Sequence, residues 1–378
     1  MIKQLAAVAL AAAAFAACEP IRDGITEPQS SFQRVAEREG DNVSGAVYTI
    51  TNQVTGNAVA VFARGGDGTL TPAGSFGTGG TGTGASLGSQ GAVRLSDDGR
   101  LLFAVNAGSN DVSVFRVGSH GLSLLSRTAS GGTQPISVTV HRNVAYVLNG
   151  GGAGNITGFT IEHNGELAAI AGSTQSLSSA TAGPAEVSFS ADGRQLVVSE
   201  KGTSLLDVYP VDDNGVAGAR TSYASAGGTP FGFAVGPRNL VFVSEAAAPG
   251  SASSYMLGRN GALQVVSGAV LTHQGAPCWA VVTDNGRFGY TGNGSGSVSG
   301  FSIWPDGSAR LLGANGATAV VGGGLNDIAL SSNSRYLYAL GTGGVQAIYA
   351  FRIENDGRLV ALGAIGGLPA GTRGLAAF

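Results

Sequence analysis

Seven tight turns, spaced almost evenly along the chain, constrain its fold more than any other feature. Six are Asx-Gly pairs, at Asp67-Gly68, Asn164-Gly165, Asn214-Gly215, Asn260-Gly261, Asp306-Gly307 and Asp356-Gly357, and His120-Gly121 takes the same role between them. From Gly68 to Gly357 there are six intervals over 289 residues, about 48 each, the length of four short strands with their turns. Asn-Gly and Asp-Gly are the residues of two-residue hairpins, where both central positions need positive φ.

A second series of turns precedes each hairpin: Asp97-Asp98-Gly99-Arg100, Asp192-Gly193-Arg194, Asn285-Gly286-Arg287 and Asn333-Ser334-Arg335. Apolar strands lead into this position at Val93 to Ser96, Ile136 to Val140, Val187 to Ser190, Phe231 to Val235, Trp279 to Thr283 and Ile328 to Ser331. That makes six such strands for seven hairpins. The seventh is Arg373 to Phe378, which has no following strand, while Ala46 to Thr51 reads as a second strand with no first. Joining these two segments gives an all-β, seven-bladed propeller of four-stranded antiparallel blades over residues 44–378. Its ring is closed by the C-terminal strand completing the first blade. Closure removes the free sheet edges that invite aggregation. The first and third turns of every blade then share one face. The loops after the second strands share the other with the inter-blade linkers, and ligand binding is expected on this second face, where loops vary in length.

Composition agrees with this architecture and excludes several functions. Gly makes up 63 of 378 residues without a three-residue period, which suits recurrent turns and excludes collagen. Charged residues are 12% of the chain, with 21 Lys+Arg against 24 Asp+Glu and no basic cluster, so a nucleic-acid partner is not expected. The Gly-rich runs at 77–84 and 150–154 lack the Gly-Lys-Ser/Thr ending of a phosphate loop. No Cys/His cluster suggests zinc, and the aspartates form no calcium loop. No cofactor and no metal are expected, and the closed ring reads as a monomer.

The N-terminus reads as an address. One cation, Lys3, precedes thirteen apolar residues, Leu5 to Ala17, too short a run for a membrane span and the pattern of a signal peptide over residues 1–17. Phe15-Ala16-Ala17-Cys18 resembles a bacterial lipobox, which implies lipidation of Cys18 and export to the periplasm or cell surface; ordinary secretion is the alternative. The lipid anchor is then the only membrane contact. Residues 18–43 are polar, without strand alternation, and read as a flexible tether. With only Cys18 and Cys278 present, the fold does not depend on a disulfide framework.

Units such as Leu95-Ser-Asp-Asp-Gly-Arg-Leu-Leu-Phe-Ala-Val-Asn106 and Phe189-Ser-Ala-Asp-Gly-Arg-Gln-Leu-Val-Val-Ser-Glu200 resemble the seven-bladed propeller lactonases, which include propeller-type 6-phosphogluconolactonase and carboxymuconate cyclases. The resemblance covers about residues 43–378. It implies a lactone or related sugar acid as ligand, with a surface protein or glycan as the alternative partner if no chemistry remains. It also implies a Pro-His step, a Pro-Arg-His step, and a Glu closing a second strand. Here the two steps read Pro184-Ala185-Glu186 and Pro230-Phe231-Gly232, and the Glu remains as Glu245.

The residues themselves suggest a site on the loop-rich face. Glu200 and Glu245 end second strands of neighbouring blades and are the expected catalytic pair, since two carboxylates in different surroundings divide acid and base roles. Lys201, Glu186, Asp327 and Arg373, the last a binder for an anionic group, are expected beside them with His273, the one histidine assigned to that face. His120, His141 and His163 are assigned to turns on the opposite face. Trp279 offers a stacking surface, and Asn149 and Asn293, like Asn106, occupy the position of the two glutamates. Cys278 reads as packing at the start of an inner strand.

Overall fold

The computed structural model describes residues 43–342 and 346–378. The proposed leader, the Cys18 lipidation site and nearly all of the tether lie outside the described residues. Seven antiparallel sheets follow one another along the chain. The second blade is typical, with strands Val93–Leu95, Leu101–Asn106, Asp111–Gly118 and Gly121–Ala129 ordered from first to last. The ring closes as the sequence implies: Arg373–Ala377 pairs with Val43–Ile50, matching Tyr48 to Ala376 and Ile50 to Arg373. The Phe378 N–H donates to Ala46 O at 2.9 Å, and Arg64 Nε donates to Phe378 O at 3.0 Å. Two blades carry a small extra strand, Gln175–Ser176 and Ala319–Val320.

The outer turns differ in one respect from the expectation. All seven glycines have positive φ, between 80° and 107°, but none of the six Asx residues does. In the blade ending at residue 77, Gly65 N–H donates to Thr69 O and Gly68 N–H to Gly65 O. The loop is therefore three residues long, a type I turn followed by one left-handed Gly, rather than a two-residue loop with both residues left-handed. The Asx contributes through its side chain. Asp67 Oδ1 accepts the Thr69 N–H at 3.0 Å, and Asn164, Asn260, Asp306 and Asp356 repeat the bond.

These turns also join neighbouring blades. Tyr146, Tyr290 and Tyr338, each third in a second strand and fully buried, donate their hydroxyls to Gly215 O, Gly357 O and Gly68 O of the following blade. The inner turns rely on Ser or Thr. Ser96, Ser190, Thr283 and Ser331 each accept the N–H of the residue five positions later, at 3.0–3.1 Å. Packed aromatic and aliphatic side chains between blades form the core, with Phe103, Phe115, Tyr146, Phe242 and Phe301 fully enclosed. Among the described residues, no helix is long and apolar enough to cross a membrane.

Candidate functional site

The five chemically suggestive residues at the ends of second strands prove to be clamps. Asn106, Asn149, Glu200, Glu245 and Asn293 are all fully buried. Each grips the start of the third strand, the linker that leads into its own blade, or both. Glu245 accepts from Ser225 Oγ at 3.1 Å and Gly227 N at 2.7 Å on the linker, and from Ser251 Oγ at 2.5 Å and Ser253 Oγ at 2.6 Å on the next strand. Asn293 donates to Ser297 Oγ and Ser299 Oγ, and Asn149 to Ser130 O and Asn155 Oδ1.

Glu200 accepts from Ser178 N–H at 2.8 Å, from the Ser178 hydroxyl and from Thr203 Oγ1. It also neighbours Asp207, whose carboxyl is pushed up to about 7, first by burial and then by the Glu200 carboxylate. Arg220 Nε lies 3.3 Å from Asp207 Oδ2 and offsets part of that shift. Glu200 and Glu245 thus sit in separate hydrogen-bonded cages, and the expected arrangement, in which both face one funnel, is not what the structure shows. A carboxyl group enclosed at a strand end must be hydrogen-bonded, and the loops supply the donors.

The expected face is filled as well. Between the first and second blades the chain runs through a long linker, and Gly88, Ser89 and Gln90 fold across the axis. Gln90 pairs with the backbone of Ala280 on the far side of the ring, donating to its carbonyl and accepting its N–H, both at 2.8 Å. Its own N–H donates to Ala185 O. Ser89 Oγ donates to Ile136 O, and Trp279 Nε1 donates to Ser89 O at 3.1 Å. Lys201 reaches Gly88 O and lies 4.7 Å over the Phe231 ring. A Cβ on Gly232 would stand 2.0 Å from Gln90 Oε1, so only glycine lets the plug seat. Trp279 and Lys201 therefore hold this plug, and Cys278 is buried beside them.

The axis opens instead at the face of the inner turns. A cavity of about 380 Å³ lies there, floored by Gln90 and lined by Arg94, Thr139, His141, Ser188 and Phe233 among others, with Asp97 at its mouth. This corrects the expected placement of the funnel: the linker face is occupied by chain, whereas short inner turns leave the opposite mouth uncovered.

His141 also differs from its assignment to a turn, being the last residue of strand Pro135–His141. Its Nδ1 is 3.7 Å from Asp97 Oδ2 and its ring packs 5.7 Å from Phe189. A Cβ on Gly193 would lie 2.4 Å from Nε2, so that nitrogen abuts the next blade rather than the cavity.

Arg94 is the cation of this cavity. It is partly exposed, and its guanidinium donates to Ser188 Oγ at 3.3 Å. Aligned on the turn residues Ser96, Ser190 and Ser331, Glu186 and Asp327 occupy the inner-strand position two residues before that of Arg94. Both are buried. Glu186 Oε2 accepts the Phe233 N–H at 2.7 Å, and burial pushes its carboxyl up to about 8 despite the opposing charge of Arg94. Asp327 accepts Ile328 N–H at 2.8 Å and Leu375 N–H at 2.9 Å. Burial raises it well above the carboxylate range, and the Glu186 charge adds to the shift. A paired acid level beneath a guanidinium was only half legible: Glu186 and Asp327 stand out in sequence, while Arg94 was missed. The signal for it was a cation inside the otherwise apolar Val93-Arg94-Leu95.

The remaining expected residues lie away from this cavity. Arg373 donates to Thr372 O at 2.8 Å and its carbonyl accepts Thr49 Oγ1 at 3.1 Å, placing it at the ring closure. His273 is exposed in the linker between the fifth and sixth blades, with positive φ. No group of three or more metal-ligating side chains occurs among the described residues.

Residues 46–176 match the model of a family described as Lactonase, 7-bladed beta-propeller. The comparison with curated proteins found no match. Among solved structures, a Lactobacillus plantarum protein is similar at 15% identity and TM-score 0.70, covering 88% of this chain and 99% of that one. A Pseudomonas aeruginosa periplasmic gluconolactonase is similar at 16% identity and TM-score 0.69, covering 88% and 99%. A Bacteroides fragilis protein, provisionally described as a 6-phosphogluconolactonase, aligns at 18% identity and TM-score 0.69 over 89% and 98%. At these identities the likeness is one of fold.

Proposed function

We propose that this divergent lactonase-family propeller hydrolyses a lactone, or holds the sugar acid that hydrolysis yields, in the axial cavity at the inner-turn face. The observation that carries the reading is Arg94, whose guanidinium bonds Ser188 Oγ in the lining of a polar, partly enclosed space. Water attack on a lactone carbonyl puts negative charge on its oxygen before the ring C–O bond breaks. A fixed cationic donor lowers that barrier, typically by a factor of 10² to 10³. In this scheme Glu200 and Glu245 act as positioning residues that fix the linkers. Export by the leader, with Cys18 as lipid anchor, completes the proposal; a Cys18→Ser chain released from membranes would support it, and one still membrane-bound would sink the anchor.

The test is proton release in a pH-stat with aldono-, phosphorylated and acyl-homoserine lactones. Release above the spontaneous rate that falls roughly 100-fold in Arg94→Gln, and persists in folded Glu245→Gln, is the expected result. No release across the panel, or an unchanged rate in Arg94→Gln, sinks the assignment. A second reading, a non-catalytic propeller that binds a surface protein or glycan, has one observation in its favour: both expected catalytic carboxylates are enclosed. It predicts a partner captured equally by the parent chain and Arg94→Gln.

A further inference from the structure

We propose that the axial cavity is a proton-linked oxyanion site, in which Arg94 holds a carboxylate or phosphate group and the anion enters together with a proton retained by Glu186 and Asp327. This rests on the reading of the cavity as the ligand site, and it narrows the ligand class to anions.

Arg94 faces a cavity of about 380 Å³ on one side and is felt by two buried carboxyl groups on the other. Asp327 feels the Glu186 charge as well as that of Arg94. Each already receives backbone N–H groups, Glu186 from Phe233 and Asp327 from Ile328 and Leu375, so both are fixed in place and cannot swing away. An anion docking on the guanidinium competes with the carboxylates for the same positive charge. In a buried setting a second negative charge is unfavourable unless one group is neutralised by a proton. Burial raises Glu186 to about 8 and moves Asp327 in the same direction, so at neutral pH the Glu186 proton is largely in place already and is lost above about pH 8.

The other charged groups along the cavity are Asp97 and His141 at its mouth. They face each other 3.7 Å apart, above the level of Arg94, and Arg373 belongs to the strand that Asp327 contacts. Among the described residues, Arg94 is the only arginine or lysine in the cavity lining. The linkage is assigned to the carboxyl pair, which is buried and held by backbone N–H groups, and Glu186→Gln separates its share from that of His141.

Calorimetric titration of the full chain tests this, using gluconate as the carboxylate probe and sulfate as a non-titrating stand-in for a phosphate group, in buffers of different ionisation enthalpy. Binding at pH 6.5 that weakens at least tenfold by pH 9.5, with net proton uptake near pH 8, is expected. Arg94→Gln should weaken binding more than tenfold. Glu186→Gln, which keeps an acceptor for the Phe233 N–H, should keep binding and lose more than half of the proton uptake. Preference for gluconate over sulfate assigns a sugar acid, and the reverse assigns a phosphorylated ligand.

Binding without proton uptake, binding indifferent to Arg94→Gln, or no binding of either anion overturns the proposal. The parallel lactone assay separates the two claims. Turnover without anion binding removes the oxyanion site and leaves the lactonase reading; proton-linked binding without turnover does the opposite.

Discussion

The two ends of the propeller axis use the same chemical groups to opposite effect. At the linker end, Glu200 and Glu245 are met by two or more donors each and the axis is stoppered by Gln90. At the inner-turn end, Arg94 makes one bond to Ser188, and Glu186 accepts one N–H while remaining raised. The number of matching partners decides whether a charged side chain becomes structure or remains available for chemistry. Loop length, which pointed to the linker end, has the reverse consequence here: the longer linkers supply the atoms that fill the space.

The sharpest way to break this contrast is to remove a clamp. Glu245→Ala leaves four donors without their acceptor in a buried setting, and should cost roughly 4 kcal/mol in urea unfolding. Arg94→Ala, at the other end, should cost less than about 1 kcal/mol. Equal losses at both ends would contradict the division.

The next effect is on pH dependence, and its sign follows from Glu186. Its folded carboxyl is raised from 4.5 to about 8, so between these values the folded chain keeps a proton that the unfolded chain has released. Stability is then full below about pH 4.5 and declines as pH rises through about 8, by about 1.4 kcal/mol per pH unit for one group. Asp327, raised by burial, and Asp207, raised to about 7, add in the same direction. The thermal midpoint should fall from pH 5 to 8, and Glu186→Gln should flatten part of that fall. A midpoint that rises over this range would show that the axial carboxyls are ionised in the folded chain.

The smallest effect concerns the stopper itself. Lys201→Met removes the cation over Phe231 and the bond to Gly88 O, and should cost about 1 kcal/mol. Hydrogen exchange should quicken at residues 86–90 and stay unchanged at the inner turns. Faster exchange at both ends would mean that the stopper also supports the cavity.

The fold was legible because its signals are local. Asx-Gly turns specify their own hairpins, and counting strands left two orphans that could only pair with each other, as Ala376 and Tyr48 do. The site was harder to read because its determinants are distant in sequence. Nothing near Gln90 announces that it will bond Ala280, 190 residues away. Glu245 looks the same in sequence whether four hydroxyl and amide donors surround it or a substrate does. Even so, Glu186 and Asp327 were visible as acids at equivalent inner-strand positions, because a charge in an apolar strand is informative wherever the strand is buried.

The pairing of Arg373–Ala377 with Val43–Ile50 also sets an order of events during synthesis. A ribosome delivers residue 50 long before residue 373, the bond from Thr49 to Arg373 spanning 324 positions, so the first blade waits for its innermost strand until the other six blades have emerged. Until then, the first blade presents Val43–Ile50 as an unpaired border, the kind of edge that recruits other chains. Residues 373–377 therefore act as a completion signal: a chain stopped short of residue 373 would carry six finished blades and one permanent seam.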